Sequence, residues 1–154
     1  MAEDSRNFQV EIITPDRIFY KGQATMLEFN TTAGELGVYK NHIPLTTVLA
    51  PGILRIHGCD GEDNASRPQG QPRISPEGGK DVIAAVHSGF AEILPEKVTL
   101  LAEIAEWPEE IDKSRAKAAK ARAEERLAQK TETTDIKRAE FALRKALVRI
   151  DITK

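Results

Sequence analysis

The sequence predicts a β + α protein: an N-terminal flattened β-sandwich of about ten strands followed by a C-terminal antiparallel two-helix hairpin. Three observations carry that prediction. All ten glycines lie before Ala105. Apolar residues alternate with a period of two in the first part and recur every three to four residues in the last fifty, the spacings of half-buried strands and of amphipathic helices. Charge changes sign at the same place, from net -5 over residues 1–104 to net +3 over residues 105–154. The chain therefore divides into 1–105, with a polar insertion at 58–80, and 106–154.

The strands follow in order. Phe8, Val10 and Ile12 alternate with Gln9 and Glu11. Thr14-Pro15-Asp16 is a turn signal before Arg17-Ile18-Phe19-Tyr20. Further short runs are 24–31, 36–39, 45–49, 53–57, 82–87, 89–94 and 97–103. Nine such runs separated by Gly, Pro and Asn argue for a sandwich or barrel, because a βαβ array needs helices between its strands. Gly34 and Gly37 bracket Glu35-Leu36 and predict a tight turn there. Residues 58–80 hold five glycines and three prolines, and read as a long, exposed and mobile hairpin loop.

Two helices follow. Pro108 suits a first helical position, with Glu109, Glu110 and Asp112 placing negative charge near the positive end of the helix dipole. This first helix runs to about Gln129 and is rich in alanine. Residues 130–134 connect it to a second helix capped by Asp135 and carrying Ile136, Ala139, Leu143, Leu147 and Ile150. Large apolar side chains are few here, so the hairpin needs a surface to lie against and is expected to move.

Composition excludes several functions. A net charge of -2 argues against a nucleic-acid binder held by phosphate contacts, and glutamates are interspersed among the hairpin's basic residues. One cysteine, Cys59, excludes an intramolecular disulfide framework and a cysteine-rich zinc module. No apolar run approaches the ~20 residues of a membrane span, so direct membrane insertion is not expected. The polar, acidic N-terminus has no signal- or transit-peptide pattern. Gly79-Lys80 lacks the leading glycine and the following Ser/Thr of a phosphate loop, since Ile74 and Asp81 stand there. His57 and Cys59 read as structural. The histidines are isolated and the carboxylates scattered, so no catalytic residues and no metal ligands are expected.

Several strings are specific. Glu11-Ile12-Ile13-Thr14-Pro15-Asp16, Gly34-Glu35-Leu36-Gly37-Val38 with His42-Ile43-Pro44-Leu45, Pro51-Gly52-Ile53, Ser88-Gly89-Phe90 and Ile111-Asp112-Lys113-Ser114-Arg115-Ala116 occur in that order. Together they resemble the epsilon subunit of F-type ATP synthases, of bacterial type, from Phe8 to about Ile150 apart from the 58–80 insertion. The resemblance implies a non-catalytic central-stalk rotor subunit at the cytoplasmic face of the bacterial plasma membrane. Its partners would be the gamma subunit and the polar loops of the c-ring. An extended hairpin would also reach the alpha/beta catalytic head and inhibit ATP hydrolysis; the alternative is a non-inhibitory hairpin beneath a purely structural sandwich.

Site residues follow from spacing and from the resemblance. Arg115, Arg122 and Arg126 fall on roughly one side of the first helix, and Lys145 with Arg149 on one side of the second. They can converge as a basic pocket for polyphosphate or simply decorate a solvated face; Asp112 and Arg115, three apart, can also pair on one helix face. No resident cofactor is expected. The resemblance adds regulatory ATP, with Glu106, Asp112, Arg115, Arg122, Lys145 and Arg149 as candidate nucleotide-binding residues, and Lys145 stands where ATP-binding members tend to have arginine. Candidate subunit contacts are Gly34, Glu35, Leu36, His42 and Arg126, with His42 equally readable as a structural loop residue.

Overall fold

A computed structural model describes residues 6–63, 73–74, 80–129 and 131–154. Its strands are β1 (Phe8–Ile13), β2 (Ile18–Ala24), β3 (Met26–Thr31), β4 (Gly34–Val38), β5 (Leu45–Leu49), β6 (Gly52–His57), β7 (Asp60–Asp63), β8 (Arg73–Ile74), β9 (Lys80–Val86), β10 (Gly89–Ile93), β11 (Lys97–Ala102) and β12 (Ala105–Glu106). They join in the order β12-β9-β6-β3-β5-β10-β11-β1-β2-β7, with β4 on β3 and β8 on β9. The β1–β11 pairing is parallel and the others are antiparallel. Period-two alternation turns Val10, Ile12, Leu27, Leu54, Ile56, Val98 and Leu100 inward into one apolar cluster, as the sequence predicts for a sandwich.

A 3₁₀ turn (Pro108–Glu110) leads to helix α1 (Lys113–Ala128) and then α2 (Ile136–Ile152). The helices are antiparallel: Arg149 near the end of α2 faces the first half of α1, while Arg138 near its start neighbours Arg126. Their buried residues are mainly Ala116 and Ala123 on one side and Ala139 and Ala146 on the other, each pair seven apart. Small side chains on this seam let the axes approach closely. α2 in turn lies against β6 and β9.

Four expectations need correction. The 58–80 insertion is not loop throughout: β7 pairs with β2, β8 pairs with β9, and β9 itself starts at Lys80. A ladder at a sheet edge uses main-chain groups alone, so it forms without an apolar pattern to announce it. The rest of that insertion, including its expected mobility, lies outside the described residues. The first helix starts at Lys113, five residues later than Pro108 predicts, because Ile111 and Asp112 are extended and Asp112 is the N-cap. Asp112 does not pair with the Arg115 guanidinium; its Oδ1 accepts the Arg115 backbone N–H at 3.1 Å. Finally, Gly34–Val38 is a strand, with the turn at Thr32-Ala33 before it and Leu36 packed on the core. Of the two glycines only Gly34 has the left-handed backbone, at φ 125°.

The expected division at 105/106 falls within β12, whose residues Ala105 and Glu106 pair with Val86 and Ala85. The sandwich core continues to Trp107, which is fully buried and stacks on Phe19 with ring centroids 4.1 Å apart.

Candidate functional site

The junction between hairpin and sandwich is organised around one carboxylate. β12 delivers Glu106 beside the end of β9, where His87 is completely buried. The His87 imidazole donates from Nε2 to Glu106 Oε1 at 2.8 Å. From the last turns of α2, Arg149 donates to that same oxygen through Nε at 2.8 Å and Nη2 at 2.7 Å. Burial alone would raise the Glu106 pKa, but the hydrogen bonds from His87 and Arg149 outweigh it and hold the carboxyl down at about 2. A second tie lies alongside: Glu110 Oε2 receives the Arg17 guanidinium at 2.8 Å and the Trp107 N–H at 2.9 Å.

A cleft of about 370 Å³ opens next to this junction, lined by Glu106, Asp112, Arg115, Arg122 and Arg149 together with Glu110, Ile111, Ala116 and Ala119. That volume is within the range of small-molecule sites. Asp112 caps α1 and so sets where Arg115 and Arg122, two turns apart, emerge. Both arginines are exposed, and neither has an ion-pair partner among the described residues. Two unspent guanidiniums and a third shared with Glu106 form a place where a polyanion can be held through bidentate hydrogen bonds.

Five of the six residues expected to bind nucleotide thus meet in one cleft. Lys145 does not; its ammonium lies 5.1 Å over the Phe141 ring, a cation–π contact one turn back along α2. Arg126 lies at the other end of the hairpin, in a hollow with Thr133, Thr134, Asp135 and Arg138. Sequence reasoning missed His87 and Glu110. The first closes an apolar strand run and the second is one carboxylate among several, so neither carried a signal of its partner.

The remaining candidates lie away from this cleft, with Leu36 half-buried against the core. Glu35 is exposed on β4 with no ion pair among the described residues, and Gly34 and Leu36 flank it. His42 donates from Nδ1 to the Ile43 carbonyl at 2.7 Å, which fixes the loop after Asn41. A feature not foreseen is an apolar row crossing three strands in register, Val48–Phe90–Leu101, with exposures of 43%, 57% and 51%. Single exposed apolar residues are ordinary; these three are contiguous across neighbouring strands. No helix among the described residues is long and apolar enough to cross a membrane.

Comparison with known proteins accords with this architecture. Residues 7–66 match the family described as ATP synthase, delta/epsilon chain, beta-sandwich domain, and residues 109–154 match its long alpha-helix domain. The ATP synthase epsilon chain of Shouchella clausii is 43% identical over 146 residues, 95% of this chain and 94% of that one. That of Ruminiclostridium cellulolyticum is 41% identical over 146 residues, covering 95% of each. Among solved structures, a chain of the Euglena gracilis mitochondrial ATP synthase OSCP/F1/c-ring assembly superposes with TM-score 0.71 at 22% identity. It covers 95% of this chain and 81% of that one, a likeness of fold. The chain belongs to the ATP synthase epsilon chain family, and it is accordingly a non-catalytic subunit of that complex.

Proposed function

We propose that this chain is a central-stalk rotor subunit whose hairpin is an ATP-responsive brake on ATP hydrolysis. The observation that carries the regulatory part is the cleft in which Arg115, Arg122 and Arg149 converge between hairpin and sandwich. A ligand held there touches both units and stabilises the compact arrangement over any in which the hairpin has swung away. The moving unit begins after Ile111, since Trp107 and Glu110 are tied to the sandwich. In the extended arrangement the basic hairpin reaches the acidic surface of the alpha/beta catalytic head and stops rotation; ATP in the cleft opposes this. Nucleotide is bound by Glu106, Asp112, Arg115, Arg122 and Arg149, with Lys145 outside the set.

The sandwich links rotor to ring. The Val48–Phe90–Leu101 row offers the gamma subunit an apolar face, and the exposed β4 edge with Glu35 meets the polar c-ring loops at the cytoplasmic face of the membrane. Glu35→Arg should weaken ring association; unchanged affinity removes Glu35 from that contact.

Trp107, the single tryptophan, is buried next in sequence to Glu106 of the cleft, and its backbone N–H is held by Glu110, which also lines the cleft. Its fluorescence should change saturably as ATP is added to the full chain, and Arg115→Ala with Arg122→Ala should abolish the change. A chain that binds no ATP by this or by equilibrium dialysis keeps its rotor role and loses the sensing one.

A further inference from the structure

We infer that His87 is the positioning residue of the hairpin latch: a fully buried imidazole that fixes Glu106 Oε1 where Arg149 of α2 is received. This rests on the proposed docking and undocking of the hairpin, and deepens it by naming what prepares the sandwich side.

Glu106 ends a two-residue strand and carries a flexible side chain that is about one-fifth exposed, so alone its carboxylate can turn away to solvent. His87 cannot turn away, because its side chain has no exposure at all. Its Nε2–H therefore holds Oε1 from the sandwich side at 2.8 Å, while the Arg149 fork reaches the same oxygen from the mobile side at 2.7 and 2.8 Å. The acceptor is set in place before the hairpin arrives.

The other ring nitrogen supplies an independent pointer. His87 Nδ1 is buried and has no hydrogen-bond partner among the described residues. A buried polar atom without a partner destabilises a core, and a phenylalanine or leucine at this position would avoid that cost. Among the described residues, the one hydrogen bond the ring makes goes to the residue that receives the hairpin. A carboxylate oxygen can only accept, so the bond requires a proton on Nε2.

Amide hydrogen exchange of α2 tests this in the full chain, without nucleotide and without the rest of the complex. His87→Phe fills the space but lacks the donor, and should accelerate α2 exchange by roughly tenfold, the loss of about one charge-assisted hydrogen bond. His87→Gln keeps an N–H at the reach of Nε2 and should restore slow exchange. In a Glu106→Ala background, His87→Phe should add nothing. Unchanged exchange in His87→Phe overturns the inference, as does an acceleration that persists undiminished without Glu106, which marks packing alone. If His87→Phe does not fold, nitrogen NMR of the wild-type ring decides: a proton on Nε2 supports the inference and a bare Nε2 overturns it. An Arg149→Ala chain with unaltered α2 exchange would instead contradict the docking reading beneath it, and no outcome depends on whether ATP binds.

Discussion

Glu106 couples the two parts of the molecule, and its ionisation sets the acid limit of that coupling. Its carboxyl lies at about 2 in the folded chain against an ordinary 4.5. A depressed carboxyl contributes stability that is fully present above the unfolded value and is lost as pH falls through the folded one. Docking of α2 should therefore hold at pH 5 and fail between about pH 4.5 and 2; exchange or melting measured across that window checks it, and Glu106→Gln should remove this contribution. His57 behaves with the opposite sign. Burial would lower its pKa, but Glu28 Oε2 at 2.6 Å and Asp81 Oδ2 at 3.2 Å raise it above 6.5. Its contribution is complete below 6.5 and declines as pH rises through the raised value, so Glu28→Gln should flatten the fall of melting temperature as pH rises past 6.5. Gly89 stands at φ 135° with the Leu101 carbonyl oxygen 2.0 Å from where a Cβ would be. Gly89→Ala should cost about 1–3 kcal/mol in a denaturant titration and distort the apolar row at Phe90.

At the scale of elements, legibility followed periodicity. Strands with alternating burial, such as β1 and β11, and the α2 stripe were readable because side-chain pattern alone determines which face turns inward. β7, β8 and β12 were not, because they are edge ladders made by main-chain groups and two of them have only two residues. Pro108 and its acidic followers serve a 3₁₀ turn as well as a helix start, and only the Asp112 cap places the start of α1. The basic cleft was half legible: helical spacing gathers Arg115 with Arg122, but no spacing rule places Arg149 on Glu106 or buries His87 behind it. The alanine seam between the helices gives the next prediction. Ala123→Leu should overpack a buried position and destabilise the hairpin by about 1–3 kcal/mol, read as faster exchange in both helices with the sandwich strands unchanged.

At the scale of the whole molecule, a firmly built sandwich carries a lightly held hairpin. Among the described residues, twenty-two buried apolar ones form the sandwich cluster, whereas the hairpin buries four alanines and one isoleucine. Such asymmetry lets one part stay fixed in a rotor while the other changes place. Moving that equilibrium from 1:99 to 99:1 takes about 5.5 kcal/mol of differential binding. Charge-assisted hydrogen bonds to a polyphosphate, at about 1.5–3 kcal/mol each, are of the right size when two or three form only in the compact state. The most direct test is ATP hydrolysis by the parent complex carrying either the full chain or one ending at Ile111, a cut that spares the Trp107–Phe19 stack and the Arg17–Glu110 bridge. A clear rise in hydrolysis on truncation, with the complex still assembled, is the predicted result. Equal rates for the two complexes would contradict the brake and leave the hairpin's basic cleft without a regulatory role.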